Sequence, residues 1–225
     1  MYKTIWLIIC TLMLFLPALK LSASIGSGSK EFSKDSIFPK EGGMISFGAR
    51  STVNIFTNTL KSYGLGAGAS SRIQFIDRLG TEWFGDYVIN NMYNKATRID
   101  GHIGWNVMLY IIKPNGFRTK FTPFIAAGHC FDYTGIRMNG PNQPLHDRWT
   151  SAVQMSVGCH YNITPKFDFS ISTLYDLHLG REIDVEPQQD GSIAIVEHRN
   201  AGWEGHIMII FSVHYKFAKL WKAKE

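Results

Sequence analysis

Histidine has the widest chemical repertoire among the side chains of this 225-residue chain, because it binds metals and exchanges protons near neutral pH. Five histidines fall on the polar side of alternating stretches of sequence: His102, His160, His178, His206 and His214. No two of them show the compact ligand spacing of a motif such as HExxH. We therefore expect no metal, no cofactor and no catalytic residue among them. We expect instead hydrogen bonds to Asp100, Asp168 or Asp176.

The segment EHRNAG, residues 197–202, is the second place where the residue types permit chemistry. Glu197 and His198 are an acid and a base, but a hydrolase also needs a nucleophile for the histidine to activate. Asn200, in the same segment, carries no hydroxyl group that His198 could activate. The sequence therefore predicts a solvated loop histidine and no enzyme activity.

A third candidate is the run of Gly64, Gly66 and Gly68, which resembles a phosphate-binding loop. These glycines continue the alternation of a strand, and no helix follows them, as a phosphate loop requires. We expect a stripe of small residues on one face of a strand.

The elements that position these residues are strands, because a period of two dominates from Gly43 onward. Eight stretches alternate in this way: 43–56, 63–75, 81–89, 97–110, 121–133, 149–161, 167–179 and 206–217. A length of about ten residues or more is long for a soluble sheet and suits a tilted strand that crosses a membrane.

The links between these stretches alternate in length. Short links fall at 76–79, 113–116 and 162–166, and longer ones at 57–62, 90–96, 134–148 and 180–202. Short turns at one end, long loops at the other and an even strand number are typical of outer-membrane barrels. The predicted fold is all-β, an eight-stranded antiparallel up-and-down transmembrane β-barrel.

The N-terminal residues 1–23 combine Lys3, an apolar run and Leu21-Ser22-Ala23, which together predict a cleaved signal peptide. A retained membrane helix is the alternative. Residues 24–42 are expected to be a flexible lead-in, 43–217 the barrel and 218–225 a C-terminal tail. Export opens the outer membrane as the predicted location.

The charge pattern excludes one class of partner. The formal net charge is +5, and no block of Lys and Arg lies beside base-stacking motifs, so we expect no nucleic acid.

The two faces of the strands differ in a way that predicts which one meets lipid. The polar face supplies the expected lumen network: Arg50, Arg72, Glu82, Asp86, Arg98, Asp100, His102, Asp168, Asp176, His178, Glu204 and His206. The apolar face supplies an expected aromatic girdle: Trp83, Tyr87, Trp149, Tyr161, Trp203, Tyr215 and Phe217. An eight-stranded barrel has little interior space, so the polar face would fill and plug it. A secreted soluble barrel of the lipocalin kind is the alternative, but so many large aromatics would not fit inside.

Three stretches carry a resemblance to known proteins: GTEWFGDY (80–87), DGHIGWNVMLY (100–110) and FTPFIAAGHCFDYTGI (121–136). They are similar to uncharacterised barrels of Bacteroidota, and residues 43–217 resemble the small outer-membrane β-barrel superfamily of Gram-negative bacteria. The resemblance implies the architecture, and the superfamily includes adhesins, lipid-modifying enzymes, small pores and structural proteins. For this chain we expect a monomer with a structural or surface-interacting role, in contact with outer-membrane lipid and lipopolysaccharide. The ending Tyr215-Lys216-Phe217 resembles the signal that the barrel-assembly machinery recognises.

The same superfamily includes lipid A deacylases, whose motif is His-x-Ser followed by Asn-Ala-Gly. Asn200, Ala201 and Gly202 match the second part of that motif, whereas the serine is missing. A lipid A-modifying hydrolase is therefore the alternative function.

The loop 180–202 contains a hairpin signal of its own, because REIDVE and SIAIVEH flank residues 187–191. We expect the last two barrel strands to continue here as a protruding ribbon. Its exposed edge would suit a protein partner, and a plain surface loop is the alternative.

Cys130 and Cys159 have opposite parity in adjacent strands, so their side chains should point to opposite sides of the barrel wall. We expect Cys130 near the outer end of its strand and Cys159 near the periplasmic turn. A disulfide needs Cα atoms within about 7 Å and converging side chains. We therefore expect two free thiols.

Overall fold

The computed structural model describes residues 43–56, 62–76, 78–92, 94–112, 119–189, 192–198 and 205–219. The predicted signal peptide and lead-in and most of the tail lie outside these ranges. The strands within them are β1 (Met44–Phe56), β2 (Tyr63–Ile76), β3 (Leu79–Met92), β4 (Ala96–Tyr110), β5 (Phe121–Met138), β6 (Leu145–Asn162), β7 (Phe167–Leu179), β8 (Glu182–Pro187), β9 (Ile193–His198) and β10 (Gly205–Lys219). None of the described residues belongs to a helix long and apolar enough to span a membrane.

Eight of the strands form a closed antiparallel barrel in the order β1-β10-β7-β6-β5-β4-β3-β2. From β1 to β7 each strand pairs with the next one in the chain, and β7 pairs with β10. β10 pairs with β1 from Phe56↔His206 to Met44↔Lys219 and closes the ring. The remaining two strands, β8 and β9, form a separate two-stranded sheet. The predicted eight-stranded antiparallel barrel is confirmed.

Alternation along each strand decides what the barrel shows to its interior and exterior, because successive side chains point to opposite faces of a sheet. In β4, Arg98, Asp100 and His102 are buried, whereas Ile103 is 62% exposed and Trp105 is 40% exposed. A lipocalin-like barrel would have the apolar face inside. The structure has the apolar face outside. Such a face is unfavourable in contact with water and favourable in contact with lipid.

The hairpin of β5 and β6 is longer than the sequence predicted. The two strands stay paired as far as Arg137↔Leu145, so most of the expected loop 134–148 is strand. Thr134 and Ile136 keep the lumen-facing parity and are fully buried, which holds the register to the end of β5. The expected loop 90–96 is likewise shortened, because β3 runs to Met92 and pairs there with Ala96.

The β8–β9 ribbon forms where the hairpin signal predicted it, but the prediction that it protrudes as a continuation of β7 and β10 is wrong. Gly180, with φ of +141°, ends β7 in a conformation that residues other than glycine rarely adopt. Beyond it, Ile183 and Val185 of β8 are buried in one apolar cluster with three lumen-facing residues at the ends of β3, β4 and β5: Met92, Ala96 and Ile136. The ribbon therefore folds back onto the barrel mouth, because burying its apolar face is more favourable than exposing it.

The C-terminal boundary also differs slightly, since β10 runs to Lys219 and not only to Phe217. The links at 76–79 and 162–166 are short, as predicted. The link at 113–116 lies outside the described residues.

Candidate functional site

The lumen is the candidate functional site, because it holds most of the charged side chains that the sequence singled out. Glu82 is partly buried. The others that the structure describes are buried: Arg50, Arg72, Arg98, Asp86, Asp100, His102, Asp168, Asp176, His178 and His206. Glu204 lies outside the described residues.

One group of ion pairs lies toward the short connections, and we call it the turn-side cluster (Arg50, Arg72, Glu82, Asp86 and Asp168). Arg50 Nη2 lies 2.9 Å from Asp86 Oδ2, and Arg50 Nη1 lies 3.7 Å from Glu82 Oε2. Arg72 Nε lies 3.3 Å from Glu82 Oε1, and its Nη1 lies 3.0 Å from Asp168 Oδ1. Because β2 and β7 are separated by β1 and β10 in the barrel, the Arg72–Asp168 pair crosses the lumen.

Hydroxyl groups and histidines complete this end of the lumen. Arg72 Nη2 donates to Ser170 Oγ at 3.0 Å and to Ser212 Oγ at 3.2 Å. His214 Nε2 lies 2.9 Å from Ser70 Oγ, and His160 Nδ1 lies 2.6 Å from Ser170 Oγ. His214 is bonded at both ring nitrogens, as predicted, whereas His160 Nε2 has no hydrogen-bond partner among the described residues. Serines replace the expected aspartates as the partners of both histidines.

The second group lies toward the ribbon, and we call it the mouth-side cluster. It comprises His102 from β4, Cys130 and Asp132 from β5, Asp176 and His178 from β7, and His206 from β10.

Asp132 and Asp176 share the thiol of Cys130 within this cluster. Cys130 Sγ donates to Asp132 Oδ1 at 3.1 Å and to Asp176 Oδ2 at 3.4 Å. His102 Nδ1 lies 2.6 Å from Asp132 Oδ1. Sequence reasoning missed Asp132, although its parity with Cys130 places both on the lumen face; the stretch 121–133 has the least regular alternation of the eight.

His178 and His206 lie beside this group. His178 Nε2 is 3.0 Å from His206 Nδ1, and His178 Nδ1 is 3.4 Å from Asp132 Oδ2. His206 Nε2 approaches Asp176 Oδ2 only to 3.9 Å. The expected hydrogen bond to Asp100, Asp168 or Asp176 is therefore wrong for His102, whose hydrogen-bonded carboxylate is Asp132, and His178 also lies beside Asp132.

Arg98 and Asp100 form a pair of their own next to the mouth-side cluster. Arg98 Nε lies 2.9 Å from Asp100 Oδ1, and Thr134 Oγ1 donates to the same oxygen at 3.0 Å. The Arg98 guanidinium lies over the Phe56 ring, 4.3 Å from its centroid. Asp100 is thus already compensated by a guanidinium.

The glycine stripe of β2 makes room for the lumen network, as expected for small residues on that face. Gly68 lies between Arg50 and Asp86 in a row across three strands. A Cβ atom at Gly68 would clash with Asp86 Oδ1 and with the Gly85 carbonyl oxygen. The ion pair across β2 therefore needs glycine at this position.

The two cysteines are free, as predicted. Cys130 is fully buried and pairs with Ala152, whereas Cys159 is partly exposed and pairs with Pro123. Cys130 lies mid-strand and not near the strand end, because β5 continues to Met138.

The expected girdle residues that the structure describes point outward, with exposed fractions from 37% for Tyr215 to 69% for Phe217: Trp83, Tyr87, Trp149, Tyr161, Tyr215 and Phe217. Trp203 lies outside the described residues. Tyr87, Tyr133 and Trp149 border an open apolar groove of about 430 Å³, whose floor includes Gly85 and Gly101.

The structure describes only part of the segment 197–202, which resembles the deacylase motif. Glu197 is exposed in β9, and the backbone of His198 pairs with Glu182. Residues 199–202 lie outside the described ranges, so the prediction of no catalysis there stays a prediction.

Comparisons with known proteins concern the fold alone. No family model and no curated protein matches the chain. The crystal structure of Neisserial surface protein A is similar, with a TM-score of 0.52 and 13% identity over 78% of this chain and 97% of that one. Ail of Yersinia pestis (TM-score 0.44, 12% identity, 79% and 99% covered) and OprG of Pseudomonas aeruginosa (0.42, 15%, 81% and 99%) are weaker likenesses that carry no argument. The chain therefore has the fold of a small outer-membrane β-barrel closed by eight antiparallel strands.

Proposed function

We propose that the chain is a monomeric outer-membrane barrel with a structural or surface-interacting role, without catalysis and without a conducting pore. The observation that carries the proposal is the pair Arg72–Asp168, which crosses the lumen at 3.0 Å with both side chains at least nine-tenths buried. An eight-stranded barrel has almost no interior beyond its side chains. An ion pair that crosses this narrow interior therefore leaves no continuous column of water.

The outer face supports placement in the outer membrane after export and cleavage of residues 1–23. Large apolar side chains such as Trp149 (67% exposed) and Met155 (70% exposed) project from the barrel wall. The open groove beside Tyr87, Tyr133 and Trp149 offers an apolar cleft to acyl chains of outer-membrane lipid or lipopolysaccharide. We propose in addition that the chain is related to outer-membrane barrels of Bacteroidota. We also propose that the barrel-assembly machinery recognises its last strand.

The β8–β9 ribbon is the proposed site of a surface interaction. Its two strands pair only with each other in the part of the chain that the structure describes, so each keeps an outer edge of backbone groups. The apolar side chains Ile183 and Val185 are already used on the barrel, and a partner would meet the strand edges instead.

Planar-bilayer recording of the pure refolded protein tests the closed lumen. We expect no stable conductance from the wild-type protein. The double variant Arg72→Ala/Asp168→Ala removes the ion pair that crosses the lumen and should raise the frequency of channel openings. The control Lys166→Ala, on the exposed turn, should not. Large, stable conductance from wild-type protein would reject the proposal.

Lipid A mass spectrometry, with and without the protein in the same outer membrane, tests the absence of catalysis. We expect identical acyl patterns. Loss of an acyl chain that depends on His198 would establish the hydrolase alternative.

A further inference from the structure

Four side chains of the mouth-side cluster form a compact set of possible metal ligands that no short sequence motif connects. The donor atoms of His102, Cys130, Asp132 and Asp176 all lie within 4.8 Å of one another, and all four residues are buried. Cys130 and Asp132 are neighbours on one face of β5, the pairing of β4 with β5 places His102 opposite Asp132, and the curvature of the barrel brings Asp176 to them from β7. The absence of an HExxH-like spacing therefore says nothing about this lumen.

Buried atoms of the cluster that have no hydrogen bond among the residues that the structure describes include His102 Nε2, Asp132 Oδ2 and His206 Nε2. Their residues are 1%, 0% and 2% exposed. A buried polar atom without a partner is costly, and such atoms are rare in native structures. Unpaired buried atoms beside a compact set of metal-binding side chains point to a ligand in this part of the lumen.

The charges of the cluster point to a cation. Among the described residues, the ion-pair partners of Asp132 and Asp176 are histidines, whereas the neighbouring Asp100 has Arg98. Two buried carboxylates and a thiol that bridges them form a site that a dication would neutralise. Binding would displace the thiol proton and replace it with a metal–sulfur bond.

The donor types select the kind of cation. Imidazole, thiolate and carboxylate together suit zinc and its neighbours among the divalent transition metals. Calcium and magnesium prefer all-oxygen sites, which a cysteine and a histidine do not provide. The donor atoms here lie 2.6–3.4 Å apart where hydrogen bonds join them. A tetrahedral zinc site with usual bond lengths needs edges of about 3.4–3.6 Å, so the side chains would open by several tenths of an ångström.

His178 and His206 lie beside the two carboxylates, near enough to hydrogen-bond them after a small movement of the side chains. His178 Nδ1 is 3.4 Å from Asp132 Oδ2, and His206 Nε2 is 3.9 Å from Asp176 Oδ2. Partners of this kind fix a ligand's direction, and their loss typically weakens metal affinity by about 10- to 100-fold.

We propose that His102, Cys130, Asp132 and Asp176 bind one divalent transition-metal ion of the zinc class in the lumen, with His178 and His206 as positioning residues.

Cobalt(II) is the probe that tests the site, because a bound cobalt–thiolate pair has its own charge-transfer absorption. The full chain, refolded in detergent micelles and freed of metal with a chelator, is titrated with Co²⁺ and then with Zn²⁺. We expect one cobalt per chain, a thiolate-to-cobalt band and loss of that band on adding zinc. A folded wild-type protein that binds no cobalt, or binds it without the band, overturns the proposal.

Cys159→Ser is the matched control, since it leaves Cys130 as the single thiol beyond residue 10. The band should persist in Cys159→Ser and vanish in Cys130→Ser, with folding checked by the gel mobility shift of folded barrels. His206→Gln should keep the band and weaken affinity by about 10- to 100-fold. If Cys130→Ser fails to fold, Cys159→Ser still decides: a retained band supports the proposal, and a lost band refutes it.

Discussion

The Arg50–Asp86 ion pair allows a quantitative test of how the lumen network stabilises the barrel. Both residues are buried, 4% and 5% exposed, and their charged atoms lie 2.9 Å apart. The Arg50 guanidinium also lies over the Phe84 ring, 4.4 Å from its centroid. Removal of one partner leaves the other charge buried in a medium of low dielectric.

The two single substitutions should differ in cost. Arg50→Met leaves Asp86 with no cation within 4.0 Å among the described residues and takes one of the cations from Glu82, so we expect a loss of about 3–5 kcal/mol. Asp86→Asn leaves Arg50 with Glu82 at 3.7 Å, so its cost should be smaller. In the double variant the uncompensated charge is gone. The double variant should therefore lose less free energy of unfolding than the two single variants lose together, by about 1–3 kcal/mol.

The assay is reversible urea unfolding in lipid vesicles, followed by the gel mobility of the folded barrel and by tryptophan fluorescence. Arg137→Met, at an exposed position of β5, is the control and should change the free energy of unfolding by less than about 0.5 kcal/mol. Additive single effects, or an Arg50→Met barrel as stable as the wild type, would refute the view that the lumen pair is coupled and desolvated.

Three further expectations concern the wall of the barrel. Gly68→Ala forces a methyl group against the Asp86 carboxylate and should destabilise by about 1–3 kcal/mol, whereas Gly85→Ala, with open space on the outer face, should be tolerated in the same unfolding assay. Val157→Arg, 48% exposed on the lipid face, should cost about 2 kcal/mol or more, and Gln154→Arg on the lumen face should cost less; the reverse order would mean an inside-out barrel. Mass spectrometry without reductant should find the thiols of β5 and β6 both alkylatable after unfolding, and a bridge between them would contradict the observed register.

The sequence predicted the two faces of the barrel because a strand's side-chain period is two, whatever its neighbours are. That rule placed Arg50 and Asp86 inside and Val157 outside without knowledge of the register. The end of the β5–β6 hairpin was missed because Thr134 and Ile136 look like loop residues until their burial is known. Ile136 packs against β8, and Thr134 bonds to Asp100.

Parity alone also fails to show which lumen residues meet. It places His102 and Asp132 in the interior, but their 2.6 Å contact depends on how β4 and β5 are aligned. Asp176 reaches Cys130 from β7, across β6, because of the barrel's curvature and tilt. These are properties of the closed ring, and no stretch of sequence contains them.

Closure by β1 and β10 has a consequence for the kinetics of folding. Ser46 and His214 meet across the seam although 168 positions separate them in the chain, and Arg72 and Asp168 are 96 positions apart. Contacts so distant in sequence form slowly, because the entropy of loop closure must be lost before they contribute. Before β10 pairs, β1 and β7 both have an unpaired hydrogen-bonding edge, and the charged lumen side chains are not yet enclosed by the barrel. Pairing of β10 with both of these edges is therefore the step that turns an aggregation-prone open sheet into a folded barrel.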